Sequence, residues 1–211
     1  MRKVLLAAVF ALLFASASAV EDDRAKAPDR EYYIQVGDKS VDVRMGQPFH
    51  LDVSKDQELT LKVHPYRLFN KAGVQFKFPE NYGFEFRELT AQLIPMWTIK
   101  GNHSVVIMQV FNSPSPETVL DQYLAGLKSQ YKGKTETTDV TEKLGGVEYK
   151  GKSISPDIVA TTKLVQNVFA LKLKSGTGIL VIQHTLDPDG KLNPNSQVLL
   201  SLLRKTFKVG E

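Results

Sequence analysis

Residues 105–127, VVIMQVFNSPSPETVLDQYLAGL, decide the fold class, because a strand with two apolar faces passes through a short polar joint into an amphipathic helix. From Val105 to Phe111 only Gln109 interrupts the apolar run, the pattern of a central strand covered on both sides. Ser115 then offers a side-chain oxygen to the first turn, and Pro116 brings a preset φ. Val119, Leu120, Tyr123, Leu124 and Leu127 follow at helical spacing, which predicts a helix over 116–131.

The pattern extends in both directions. Downstream, strands are expected over about 135–141, 147–154 and 162–174, with Gly145-Gly146 as a turn, and 179–185 reads as a second central strand. After the turn Asp187-Pro188-Asp189-Gly190, Asn193 and Pro194 open a last helix striped by Val198, Leu199, Leu202 and Leu203. Upstream, Val74, Phe76 and Phe78 alternate up to Pro79, and 82–89 and 97–100 read as strands. Between residues 32 and 64 three short alternating runs are broken by turn residues: Val41, Val43 and Met45; Phe49, Leu51 and Val53; Leu59, Leu61 and Val63. Period two with such punctuation argues for half-buried antiparallel strands.

The N-terminus supplies an address. Arg2 and Lys3 precede an apolar run from Val4 to Phe14, and Ala17-Ser18-Ala19 forms a small-residue cleavage site, so 1–19 is expected to be a removable secretory signal of bacterial type. Its apolar run is well short of the roughly 20 residues a membrane span requires. The expectation is a soluble protein exported to the periplasm or beyond the cell, with no stable membrane anchor once the signal is gone. Cysteine is absent from the 211 residues, which excludes disulfides, thiol nucleophiles and an acylated cysteine anchor. Losing nineteen residues, two of them basic, leaves 192 residues and lowers the net charge from +4 to +2. Without a basic stripe interleaved with aromatics, nucleic acid is not an expected partner.

The motifs GVQFKFPENY, the stretch quoted at the outset, LGGVEYKG, GILVIQHTLDP and VLLSLLRKTFKV, spread over about 73–207, resemble the PsbP-like and DcrB-like α/β sandwich family, whose fold a nuclear Ran-binding protein also uses. The resemblance implies an α+β fold, a mainly antiparallel sheet with helices on both faces. It also implies partner binding, since members serve as adaptor or extrinsic subunits more often than as catalysts. A photosystem role does not transfer, because nothing here marks the host as photosynthetic. The expected organisation is signal 1–19, flexible leader 20–30, N-terminal β-hairpin extension 31–72, and PsbP/DcrB-like domain 73–211.

Motifs of catalysis are missing from the sequence. No serine lies in a G-x-S-x-G elbow, and Gly145-Gly146 and Gly176-Thr177-Gly178 lack the spacing of a phosphate loop and lead into strands. Asp187-Pro188-Asp189-Gly190 lacks the remaining ligands of a calcium loop, and Asn102-His103-Ser104 is a glycosylation sequon of consequence only in a eukaryotic host. The expectation is a non-enzymatic interaction or accessory module with a protein partner and no cofactor. The alternative is a small-ligand or metal-binding protein. For a metal, a hairpin of 49–53 with 59–63 would put His50, Asp52 and His64 on one face, opposite inward-facing Phe49, Leu51, Val53, Leu59, Leu61 and Val63; a solvated strand face is the plainer reading. Gln109 and Gln183, at the ends of the two central strands, either line a polar pocket or bond across the sheet. Leu93, Ile94, Met96 and Trp97, with Pro95 among them, are the candidate partner-contact residues, weighed against packing in the core.

Overall fold

A computed structural model describes residues 23–43, 48, 57–89, 93–113, 115–132, 134–156 and 163–210. The expected signal, 1–19, lies outside the described residues. Strand β1 (Arg30–Val36), β2 (Lys39–Val43), β3 (Leu59–Lys71), β4 (Val74–Pro79), β5 (Gly83–Leu89), β6 (Ile94–Lys100) and β7 (Ser104–Phe111) come first. Helix α1 (Pro116–Gln130) follows, then β8 (Thr135–Leu144), β9 (Val147–Pro156), β10 (Lys163–Leu173), β11 (Gly176–Leu186), helix α2 (Pro194–Thr206) and β12 (Lys208–Val209).

The strands form two antiparallel sheets, a larger one ordered β5-β6-β7-β11-β10-β9-β8 and a smaller one ordered β12-β4-β3-β1-β2. The two runs read as central strands, β7 and β11, lie side by side in the larger sheet. Their alternation feeds two cores. Phe169, Leu180, Met108 and Trp97 form one cross-strand row on one face, packed with Leu199, Leu200 and Leu203 of α2 and with Phe69, Phe76 and Phe78 of the smaller sheet. Ile154, Val168, Ile179 and Val181 point to the other face, under Val119 and Leu124 of α1. Each such side chain contributes on the order of 1.5–3 kcal/mol by leaving water. Among the described residues no helix is long and apolar enough to cross a membrane.

The expectation of one sheet with helices on both faces is corrected by this arrangement. The described residues are strand-dominated, with two helices and two sheets among them, and the smaller sheet supplies much of the cover that a helical layer would give. The reason lies in β3 and β4. Phe69 pairs with Phe76 and their rings stack at 4.7 Å, so the alternating aromatics near residue 73 build a second sheet and do not extend the first. The joint between these strands is Ala72-Gly73, both at positive φ (52° and 77°), which fits a two-residue hairpin turn.

Strand β3 also outruns its expected end near residue 64. Tyr32 pairs with Val63 and Arg30 with Arg67, so three residues, His64, Pro65 and Tyr66, stand opposite Glu31. A proline fits at such a bulge because no ladder bond asks for its missing N–H. Its carbonyl still accepts a bond from the Glu80 N–H at 3.0 Å.

Candidate functional site

The β2-β1-β3 part of the smaller sheet forms a three-stranded platform. Its register places Leu61, Ile34 and Val41 in one row, Val63, Tyr32 and Val43 in a second, and Leu59, Val36 and Lys39 in a third. Strand alternation puts these nine side chains on one face, eight of them hydrophobic. Leu59, Leu61 and Val63, read as the inward side of a hairpin with 49–53, a segment outside the described residues, are 50%, 63% and 41% exposed, and Val41 is 36% exposed. Beyond the bulge the same strand buries Phe69 completely, so only the platform end of β3 leaves its apolar positions in water.

The other face of the platform is polar and aromatic. His64 Nε2 lies 2.9 Å from Asp42 Oδ1, and the His64 ring sits 4.8 Å from the rings of both Tyr33 and Tyr66. Lys77 Nζ caps the row, 3.6 Å from the Tyr66 ring centroid. Of the three candidate metal ligands, His50 and Asp52 lie outside the described residues, and His64 is engaged by Asp42, a residue the sequence reading had not considered. Among the described residues no three histidine or carboxylate side chains converge as a metal would require.

Strand alternation separates the four partner-contact candidates. Trp97 is 1% exposed and packs against Phe69 and Phe86, whereas Leu93 is 70% exposed in the turn before β6, at φ 51°. Ile94 and Met96 are partly buried, and Met96 Sδ accepts a bond from Gln109 Nε2 at 3.2 Å. The indole N–H of Trp97 donates to the backbone carbonyl of Arg24 at 2.8 Å. Around that bond the leader is held to both sheets. Arg24 pairs with Glu88 at 2.9 Å and lies 5.8 Å from the Phe86 ring centroid; Lys71 donates to the Asp23 carbonyl, and Arg67 Nε donates to the Pro28 carbonyl at 2.9 Å. No residue type in the leader announces these bonds, because three of them end on backbone oxygens.

The polar groups of the larger sheet are mostly engaged in structure. Gln183 Oε1 accepts from Gln166 Nε2 at 2.8 Å, a bond across the sheet, and the same amide nitrogen donates to Tyr131 Oη at 3.1 Å. Burial pushes Tyr123 up to about 12, with Tyr131 adding to the shift. On the other face Ser104 pairs in register with His184, yet its hydroxyl is bonded to Tyr82 Oη at 2.7 Å. Ser196 Oγ donates to the His103 carbonyl at 3.2 Å. His184 is 7% exposed, its Nδ1 has no partner, and burial lowers its pKa, with Glu142 pulling weakly the other way. A serine hydroxyl already committed to a tyrosine is a poor nucleophile for a neighbouring histidine to activate.

The chain matches no family model, and no curated protein matches it. Among solved structures it is similar to the solution structure of cyanobacterial PsbP (CyanoP) from Synechocystis sp. PCC 6803, at 9% sequence identity and a TM-score of 0.45, over 78% of this chain and 98% of that one.

Proposed function

We propose that this protein is an exported, non-enzymatic accessory module that holds a partner protein against the apolar face of β2-β1-β3. The carrying observation is Leu61, 63% exposed on β3 in the middle row of a face it shares with Ile34 and Val41. A contiguous apolar patch on a monomer's surface is often functional. Its size argues for a transient partner over a second copy. Three strands spaced at about 4.8 Å and five residues at about 3.4 Å make a face of roughly 250 Å². A stable dimer buries about 800 Å² per subunit. Export rests on the signal-like N-terminus, and the non-enzymatic reading on buried hydroxyls that are spent on structural bonds.

The test places a photoactivatable phenylalanine analogue at Val41 in the exported protein, identifies what it crosslinks, and titrates that purified partner against the wild type and Leu61→Asp. A loss of at least tenfold in affinity, with an unchanged melting temperature, supports the reading. Equal affinities, or self-crosslinking alone, overturn it.

A second reading, a small-ligand protein, draws on a different observation. Thr137, Ile154, Gln166 and Gln183 share one cross-strand row beside Tyr131, and Gln166 Oε1 and Thr137 Oγ1 are buried there without partners. Buried polar atoms of this kind are satisfied by an ordered water or by a hydrogen-bonding guest. Native mass spectrometry of the exported protein tests it, and a mass equal to the bare chain counts against it.

A further inference from the structure

The segment 23–28 is bonded to the folded body chiefly through features that any peptide with one arginine could offer. Three of its anchors are backbone carbonyls, of Asp23, Arg24 and Pro28, taken by Lys71, Trp97 and Arg67. The fourth is the Arg24 guanidinium, placed between the Glu88 carboxylate and the Phe86 ring. The receiving groups come from three strands: Arg67 and Lys71 from β3, Phe86 and Glu88 from β5, and Trp97 from β6. They surround the contact between Phe69 and Trp97, where the two sheets meet with ring centroids 6.0 Å apart.

We propose that this junction is a recognition site for an arginine-bearing segment of a partner protein, and that residues 23–28 occupy it in cis until such a segment displaces them. Charge selects the side chain, since a carboxylate beside an aromatic ring suits a guanidinium on both counts. The backbone bonds leave the rest of the sequence unconstrained. A tethered segment is present at an effective concentration on the order of mM, so it excludes weak competitors and yields to a partner that brings further contacts. The leader lies on the surface, with residues 23–27 exposed, so its release uncovers Trp97 without unfolding a strand. The site is distinct from the platform face, and the two proposals share only the premise that the chain binds a protein.

The test uses the whole mature chain and a fluorescein-labelled peptide of residues 20–29, VEDDRAKAPD, with Trp97, the single tryptophan, as an internal reporter. Arg24→Ala weakens the resident segment while leaving the site intact. The labelled peptide should then bind about tenfold more tightly than to wild type and shift the Trp97 emission. Replacing the arginine of the peptide by alanine, or adding Glu88→Gln to the chain, should abolish the gain. Equal binding to wild type and Arg24→Ala, or no binding to either, overturns the proposal. So does a concentration-dependent dimer that exchanges its own leader, because the occupant is then a second copy. Circular dichroism and the melting temperature of Arg24→Ala confirm its fold, and the Leu61→Asp titration is independent of this result.

Discussion

Trp97 donates its indole N–H to the backbone carbonyl of Arg24 at 2.8 Å, so a core residue of β6 and the leader ahead of β1 are joined across 73 positions of sequence. The ring itself is held by Phe69 and Phe86. Its hydrogen bond is therefore separable from its packing, and the two can be measured apart.

Trp97→Phe keeps an aromatic ring in the core and removes the N–H. Losing a neutral hydrogen bond costs about 1 kcal/mol, and the smaller ring adds a cavity term of similar size. Urea denaturation should show a loss of about 1–3 kcal/mol. The more telling measurement is limited trypsin digestion. Cleavage after Arg24 and Lys26 should accelerate well before the folded body is cut, because the leader has lost a central anchor.

Gly145 sits in the β8-β9 turn at φ 56°, and a Cβ there would stand 1.7 Å from the carbonyl oxygen of Phe207. The obstacle is backbone, which no rotamer change relieves. Gly145→Ala should cost roughly 2–4 kcal/mol from the left-handed penalty and the displaced C-terminal segment. Gly146→Ala shares the positive φ, at 88°, but meets nothing within 4 Å. It should cost only the conformational part, about 1–2 kcal/mol. Equal urea midpoints for the two variants would contradict the clash.

The contrast between local and long-range signals explains what could be read in the sequence. Helix α1 was legible because Ser115, Pro116 and the apolar stripe act within a few residues; the Ser115 side chain does accept a bond from the Thr118 N–H. The second sheet was not legible. Val74, Phe76 and Phe78 alternate identically whichever sheet they join, and only the pairing of Phe69 with Phe76 assigns them. Pro65 concealed the length of β3, since a proline reads as a strand end unless a bulge absorbs it. At the candidate site, Leu93 to Trp97 looked like one patch, and the pleat of β6 turned Trp97 inward while the turn left Leu93 in water. Arg24 carried no signal at all, because its partners, Glu88 and Phe86, are more than sixty residues away.

His184 gives the stability a pH dependence of definite sign. Burial disfavours its charged form, so its folded pKa lies below the ordinary histidine value of 6.5, and the unfolded chain binds the extra proton first. Stability is therefore complete above about pH 6.5 and declines as the pH falls below it, until the folded pKa is reached. The opposing influence of Glu142, itself paired with Arg204 at 2.8 Å, narrows that window without reversing it. Urea midpoints should drop between pH 7 and pH 5 in the wild type. In His184→Met, which fills similar space and cannot titrate, the drop should be smaller. The carboxylates whose pKa values are lowered, Asp139 and Asp189, act below the usual 3.8 and so outside this range.

Leu93 combines 70% exposure with φ 51°, a left-handed conformation that costs a residue with a Cβ about 1–2 kcal/mol. Glycine adopts that φ freely but forfeits more chain entropy on folding, so the two effects partly cancel. Leu93→Gly should raise stability by about 0.5–1 kcal/mol, and Leu93→Val, β-branched at a positive φ, should lower it by a similar amount. The pair also tests Leu93, the most exposed of the contact candidates. If Leu93 touches a partner, both variants should weaken capture of that partner despite moving stability in opposite directions. If capture follows stability, gaining in Leu93→Gly and falling in Leu93→Val, the side chain serves the turn and the partner binds elsewhere.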